Sequence, residues 1–123
     1  MNPIIGVDGK LIPASEFTLD ELTGIYNQTR VDYMVPMPMN AARLAEYISV
    51  YDVDLEHSLV AMQENDLRGV AMLGVREGRA WITRLGVIPT TRRSGVGEAL
   101  MVGLLEQAEQ LNIQSDMLEV IKN

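Results

Sequence analysis

The 123-residue sequence predicts an α/β fold with a mixed, mostly antiparallel sheet flanked by helices. Three observations predict it. Residues 58–88 alternate apolar runs with tight turn signals, as a three-stranded meander does. Two stretches before them carry helical spacing behind a capping residue. After them, a strand feeds a turn bearing Gly95 and Gly97, then an apolar helix, then a short β-rich run. A right-handed crossover lays that last run parallel to the strand before the helix.

Taken in order, Asp8-Gly9 is a turn signal between two short apolar runs. A hairpin or first strand near Leu11–Ala14 is expected, with Pro13 favouring a sheet edge. Thr18 is a good N-cap and Glu21 completes a capping box. The helix behind it is expected from Leu19 to Thr29, with Leu19, Leu22, Ile25 and Tyr26 on one face. Pro36 and Pro38 exclude regular structure from residues 31–39, an apolar loop. Asn40 caps a second helix, Ala41 to Val50, with Leu44, Tyr47, Ile48 and Tyr51 inward.

The meander follows. Ser58–Gln63 is short and apolar, Asn65-Asp66 turns the chain, and Leu67–Val75 is longer. Glu77-Gly78 makes a tight hairpin, Arg79–Ile88 returns, and Pro89 ends that strand. The helix from Gly95 to Leu111 places Val96, Ala99, Leu100, Leu104, Ala108 and Leu111 at helical spacing, and Asn112 is its left-handed cap. Met117–Ile121 is the last strand. No repeat or linker interrupts the chain, and its length fits one domain, residues 1–123.

Composition bounds the function. Without cysteine there is no disulfide, thiolate metal site or cysteine nucleophile, and the single histidine, His57, cannot build a multi-histidine metal site. A net charge of −7 argues against general nucleic-acid binding. No apolar run reaches the roughly 20 residues that span a bilayer. The start, MNPIIGVDGK, lacks a basic patch followed by a long apolar core, so no signal peptide is expected and a cytoplasmic location is.

The charge is uneven. Leu44 to Leu67 holds six acids and no Lys or Arg, whereas Arg68 to Arg93 holds six arginines and one acid, Glu77. The arginines either neutralise the acidic stretch across neighbouring strands or serve an anion. Arg92 and Arg93, at the helix start, favour the anion. The helix N-terminus there offers unpaired N–H groups and a partial positive charge. Missing Cβ atoms at Gly95 and Gly97 let an anion approach the backbone.

The pattern Leu85-x-Val87-x-Pro89, then Arg92-Arg93-Ser94-Gly95-Val96-Gly97, then an apolar helix resembles motif A of the GNAT acetyltransferase superfamily. Its signature is Arg/Gln-x-x-Gly-x-Gly/Ala between the fourth strand and third helix. The order of elements is also similar, so the likeness covers nearly the whole chain. It implies a GNAT-type acyl-CoA N-acyltransferase fold, acetyl-CoA as co-substrate and no metal. Backbone N–H groups from Arg92 to Gly97, through Ser94 and Val96, are implied to hold the pyrophosphate, with Glu98 opening the helix. Arg92 and Arg93 add charge-assisted bonds. The pantetheine arm is implied to pair with Leu85, Gly86 and Val87 where the fourth strand splays from the fifth, and Gly86 leaves room for the thioester. A Rossmann-type site instead needs a third glycine where Leu100 stands.

The implied reaction is direct attack of a small-molecule or peptide amine on the thioester, with a base for the amine and an acid for the thiolate. The catalytic residues stay unassigned, because Trp81-Ile82-Thr83-Arg84 holds no Asp or Glu. The family's acidic tyrosine lies beyond the fifth strand. The tail Leu118-Glu119-Val120-Ile121-Lys122-Asn123 resembles the start of motif B. The expectation is therefore a domain lacking its C-terminal helix and two strands, or one completed by a partner chain or a homodimer. A non-catalytic acyl-CoA-binding regulatory or interaction module is the alternative.

Other residues have two readings each. The loop Met34 to Met39 either covers the core or lines an acceptor pocket. Asp52, Asp54 and Glu56 form a solvated loop or attract a cationic amine. His57 packs or relays a proton, with packing favoured. Trp81 reads as packing. Tyr26, Tyr47 and Tyr51 read as helix-face residues, and Tyr33 as near a substrate site.

Overall fold

A computed structural model of the chain describes residues 9–30, 38–89, 95–113 and 118–120, the last three by backbone alone. Strand β1 (Gly9–Pro13) is followed by a 3-10 turn (Ala14–Glu16) and two helices, α1 (Leu19–Gln28) and α2 (Ala41–Val50). Then come β2 (Leu59–Gln63), β3 (Asp66–Arg76), β4 (Arg79–Val87), α3 (Val96–Gln110) and β5 (Leu118–Val120). The sheet order is β1-β2-β3-β4-β5. The first three pairings are antiparallel and β4–β5 is parallel. This is the mixed, mostly antiparallel sheet that the sequence predicts.

Each helix end has a local cause. Thr18 caps α1 reciprocally: its hydroxyl accepts from the Glu21 N–H at 3.1 Å, and its own N–H donates to Glu21 Oε1 at 2.8 Å. The Asn40 side chain accepts from the Arg43 N–H and starts α2. At the end of α3, Asn112 is left-handed at φ 62°. The N–H of Ile113 reaches the Ala108 carbonyl and that of Asn112 reaches Glu109, which together satisfy two terminal carbonyls.

Some boundaries differ from expectation. β1 runs from Gly9 to Pro13 and Ala14 opens the 3-10 turn, its carbonyl accepting from the Phe17 N–H while its own N–H continues the ladder to the Ser58 carbonyl. The β2–β3 turn is Glu64-Asn65, with Glu64 at φ 56°, and Asp66 already pairs with Gln63. β4 ends at Val87, one residue early, although the Ile88 N–H still donates to the Arg68 carbonyl. Leu19 stands 37% exposed on the first turn of α1, while Leu22, Ile25 and Tyr26 are buried as predicted. The Glu77-Gly78 hairpin is as expected, with φ of 51° and 78° at its two residues.

Helices cover both faces of the sheet. On one side α3 buries Val96, Leu100, Leu104 and Ala108 against Leu11, Leu59, Ala71, Leu73 and Ile82. On the other, Leu22, Ile25, Tyr26 and Leu44 of α1 and α2 meet Val60, Val70 and Met72. Burying one such leucine contributes about 1.5–3 kcal/mol. The strand alternation divides β2 and β3 between these two cores.

Candidate functional site

The acidic stretch and the arginine stretch do meet. Arg76 pairs with Asp52, and Arg68 lies 4.0 Å from Asp66. Asp54 accepts from its neighbour, with Oδ2 3.0 Å from His57 Nδ1, so both are tied into the turn before β2. For these residues neutralisation and local turn-making account for the charge. Trp81 packs as expected, its indole N–H donating to the Tyr51 carbonyl at 2.9 Å.

Arg84 is different. It is buried at 8% exposure, and its Nη2 donates to Thr29 Oγ1 at 2.9 Å and to the Thr29 carbonyl at 3.3 Å. Its guanidinium carbon lies 5.0 Å from the centre of the Tyr26 ring. A β-bulge puts it there. Met72 faces Arg84 and Leu73 faces Ile82, so Thr83 is the extra residue. Without the bulge, alternation would turn Arg84 towards the apolar core under α3. With it, Arg84 and Gly86 face α1, and Val87 joins the α3 core.

Sequence reasoning missed this bulge and its helix partners, Thr29 and Tyr47. Two consecutive polar residues, Thr83-Arg84, inside a buried strand were the available signal. The Tyr47 hydroxyl donates to the Thr83 carbonyl at 2.8 Å. Burial pushes the Tyr47 phenol up to about 12, so it stays a neutral donor at ordinary pH. The Tyr47 ring meets Tyr26 edge-on at 6.1 Å and Tyr51 at 4.9 Å.

The residues expected at the coenzyme fall in three groups. Leu85, Gly86 and Val87 end β4. Gly95, Val96, Gly97 and Glu98 open α3. Arg92, Arg93 and Ser94 lie outside the described residues, as do Tyr33 and residues 34–37 of the apolar loop. The first two groups are adjacent, since a Cβ on Gly97 would stand 3.7 Å from Val87 Cγ2. Gly95 is the N-cap of α3 at φ 89°, a region that side-chain-bearing residues rarely adopt. It brings no side chain to cap the helix, unlike Thr18 and Asn40. Among the described residues nothing stands within 4 Å of where its Cβ would be, and Gly97 would meet only that ordinary contact. Packing among the described residues does not require a glycine at 97, and a helix start without a side-chain cap is one that a phosphate group can approach.

Gly86 has an occupant from within the chain. A Cβ there would stand 2.7 Å from Thr29 Oγ1 and 2.9 Å from Arg84 Nη2. Along β4, the described part of β5 pairs with Ala80, Trp81 and Ile82 and stops level with the bulge. From Thr83 to Val87 the outer edge of β4 carries no strand among the described residues.

The geometry defines a class: a helix-flanked α/β sheet whose fourth strand extends past the described part of the fifth and ends beside a glycine-opened helix start. The chain belongs to the acetyltransferase (GNAT) family, whose sequence model matches residues 20–123. No curated protein matches it in sequence. Among solved structures it is similar to a GCN5-related N-acetyltransferase from Sphaerobacter thermophilus, at TM-score 0.70 and 15% identity over 92% of this chain and 35% of that one. A GNAT family acetyltransferase from Brucella melitensis, in complex with acetyl-CoA, gives TM-score 0.70 at 12% identity over 94% of this chain and 76% of that one. The PaiA N-acetyltransferase from Thermoplasma acidophilum, in complex with coenzyme A, gives 0.64 at 16% over 87% and 76%. At these identities the likeness is one of fold. The chain spans about a third of the length of the Sphaerobacter protein. No described helix is long and apolar enough to cross a membrane.

Proposed function

We propose that this chain binds acetyl-coenzyme A and moves its acetyl group to the amine of a small molecule or peptide. One observation carries the reading: α3 starts on the left-handed Gly95, without a side-chain cap, beside the end of β4. The N–H groups of Val96, Gly97 and Glu98 at that start are the donors for a pyrophosphate, and the helix dipole adds to them. Arg92 and Arg93 supply further charge. The backbone of Leu85–Val87 offers a strand edge to the pantetheine arm. Family membership and coenzyme-bound structural neighbours support the assignment.

When bound, the thioester would supply the acetyl group: the amine nitrogen would bond to the carbonyl carbon and give up a proton, the carbon–sulfur bond would break, and the departing thiolate would take up a proton. The chain's own part is to hold the coenzyme and exclude water. Tyr47 is not assigned as the acid, because its proton is donated to Thr83. Thr83 and Arg84 bring no carboxylate to β4, and Arg84 is held by Thr29. That observation favours a second reading, a non-catalytic acyl-CoA-binding module. The proposed setting is one domain acting in the cytoplasm.

Titration calorimetry with coenzyme A tests the cradle. Gly95→Asp is expected to weaken binding more than tenfold, a loss above about 1.4 kcal/mol. Equal affinity in the folded variant would refute the phosphate site. Thiol release across a panel of polyamines, amino acids and peptides separates the readings. Saturable binding without turnover leaves the module.

A further inference from the structure

The segment of β4 proposed to face the coenzyme receives two contacts from the helix pair α1 and α2. Up to Ile82, β4 has β3 on one edge and β5 on the other. At Thr83 it gains a residue, and from there its outer edge carries no strand among the described residues. A bulge bends its strand and increases the local twist, and beyond this one the β3 ladder resumes from Met72↔Arg84 to Gly69↔Val87. Two contacts from the helices add to that ladder at the bulge. Arg84 reaches the end of α1 at Thr29, and the Tyr47 hydroxyl of α2 takes hold of the Thr83 carbonyl itself at 2.8 Å. The Tyr47 ring is in turn seated between Tyr26 and Tyr51, so α1 and α2 determine where its oxygen lies.

We propose that Tyr47 is a positioning residue for the coenzyme: by holding the carbonyl of the Thr83 bulge, it sets the direction in which the Leu85–Val87 edge meets the pantetheine arm. The inference rests on the reading that this edge receives the arm. It assigns Tyr47 no contact with coenzyme or acceptor. The nucleotide end is gripped separately, at the start of α3. Loss of the Tyr47 hydroxyl therefore acts on one end of the ligand and spares the other. A residue that merely stabilised the fold would weaken both ends together or neither.

The experiment compares two ligands, coenzyme A and 3′-phosphoadenosine 5′-diphosphate, which has the nucleotide but lacks the arm. Tyr47→Phe keeps the ring and removes the donor. It is expected to lose fivefold or more in affinity for coenzyme A, with affinity for the nucleotide within twofold of wild type. Placing 4-aminophenylalanine at position 47 returns a donor to the same ring and is expected to restore coenzyme A binding to within twofold. Parallel changes for both ligands, no change for either, or a folded amino variant no better than Tyr47→Phe would overturn the proposal. A Tyr47→Phe chain that does not fold also overturns it, since the hydroxyl would then support the sheet itself. Failure of the wild type to bind coenzyme A sinks the underlying coenzyme reading, an outcome distinct from all of these.

Discussion

Gly74 and Trp81 face each other across the β3–β4 pair, and the indole fills the place of the missing side chain. A Cβ at position 74 would also stand 2.5 Å from the Tyr51 carbonyl, a backbone atom that cannot swing aside. Gly74→Ala is therefore expected to destabilise the fold by about 1–3 kcal/mol, the usual cost of overpacking. Thermal or urea unfolding measures it, and a variant as stable as wild type would contradict the packing described.

Gly24 predicts the opposite sign. It lies inside α1, and a Cβ there would meet nothing within 4 Å among the described residues. Gly24→Ala removes the entropic cost of a helical glycine and is expected to add about 0.5–1 kcal/mol. The same unfolding measurement checks it.

The start of α1 offers a third test. Thr18→Ala removes the hydroxyl that accepts from Glu21 and dissolves the reciprocal cap. A loss of about 1 kcal/mol is expected. Thr18→Ser should retain most of it.

The Tyr47 phenol links stability to alkaline pH. Its value rises from 10.0 to about 12, chiefly through burial, so the folded chain keeps a proton that the unfolded chain releases. This contribution is complete below about pH 10 and is lost as pH climbs towards 12. The stability of wild type is expected to fall more steeply than that of Tyr47→Phe across that window, as read by urea melts at each pH. Equal slopes would show that the hydroxyl is not buried as described.

Much of this was legible in the sequence, for local reasons. Thr18 with Glu21, Asn40, Glu77-Gly78 and Asn112 each act through their own few neighbours, so spacing alone reveals them. The chain order of the sheet follows from the meander and the final crossover. The start of α3 at the glycine-bearing turn was legible too, Gly95 standing as its N-cap. The bulge at Thr83 was not, because it depends on which way Arg84 can turn between two packed faces. Thr29 and Tyr47 stand 55 and 36 positions from their β4 partners, and no local pattern joins them. Gly86 was read as room for a ligand, whereas Thr29 and Arg84 occupy the space beside it.

The order of strands in the sheet repeats their order along the chain. β2, β3 and β4 are linked by turns of two residues, whereas β1 must pair with β2 across both α1 and α2. Short loops close at low entropic cost, and local contacts form early. During synthesis, the central hairpins are thus expected to act as the seed of folding. The early helices and β1 would wait for that seed to emerge from the ribosome, and α3 would dock last over a surface already formed.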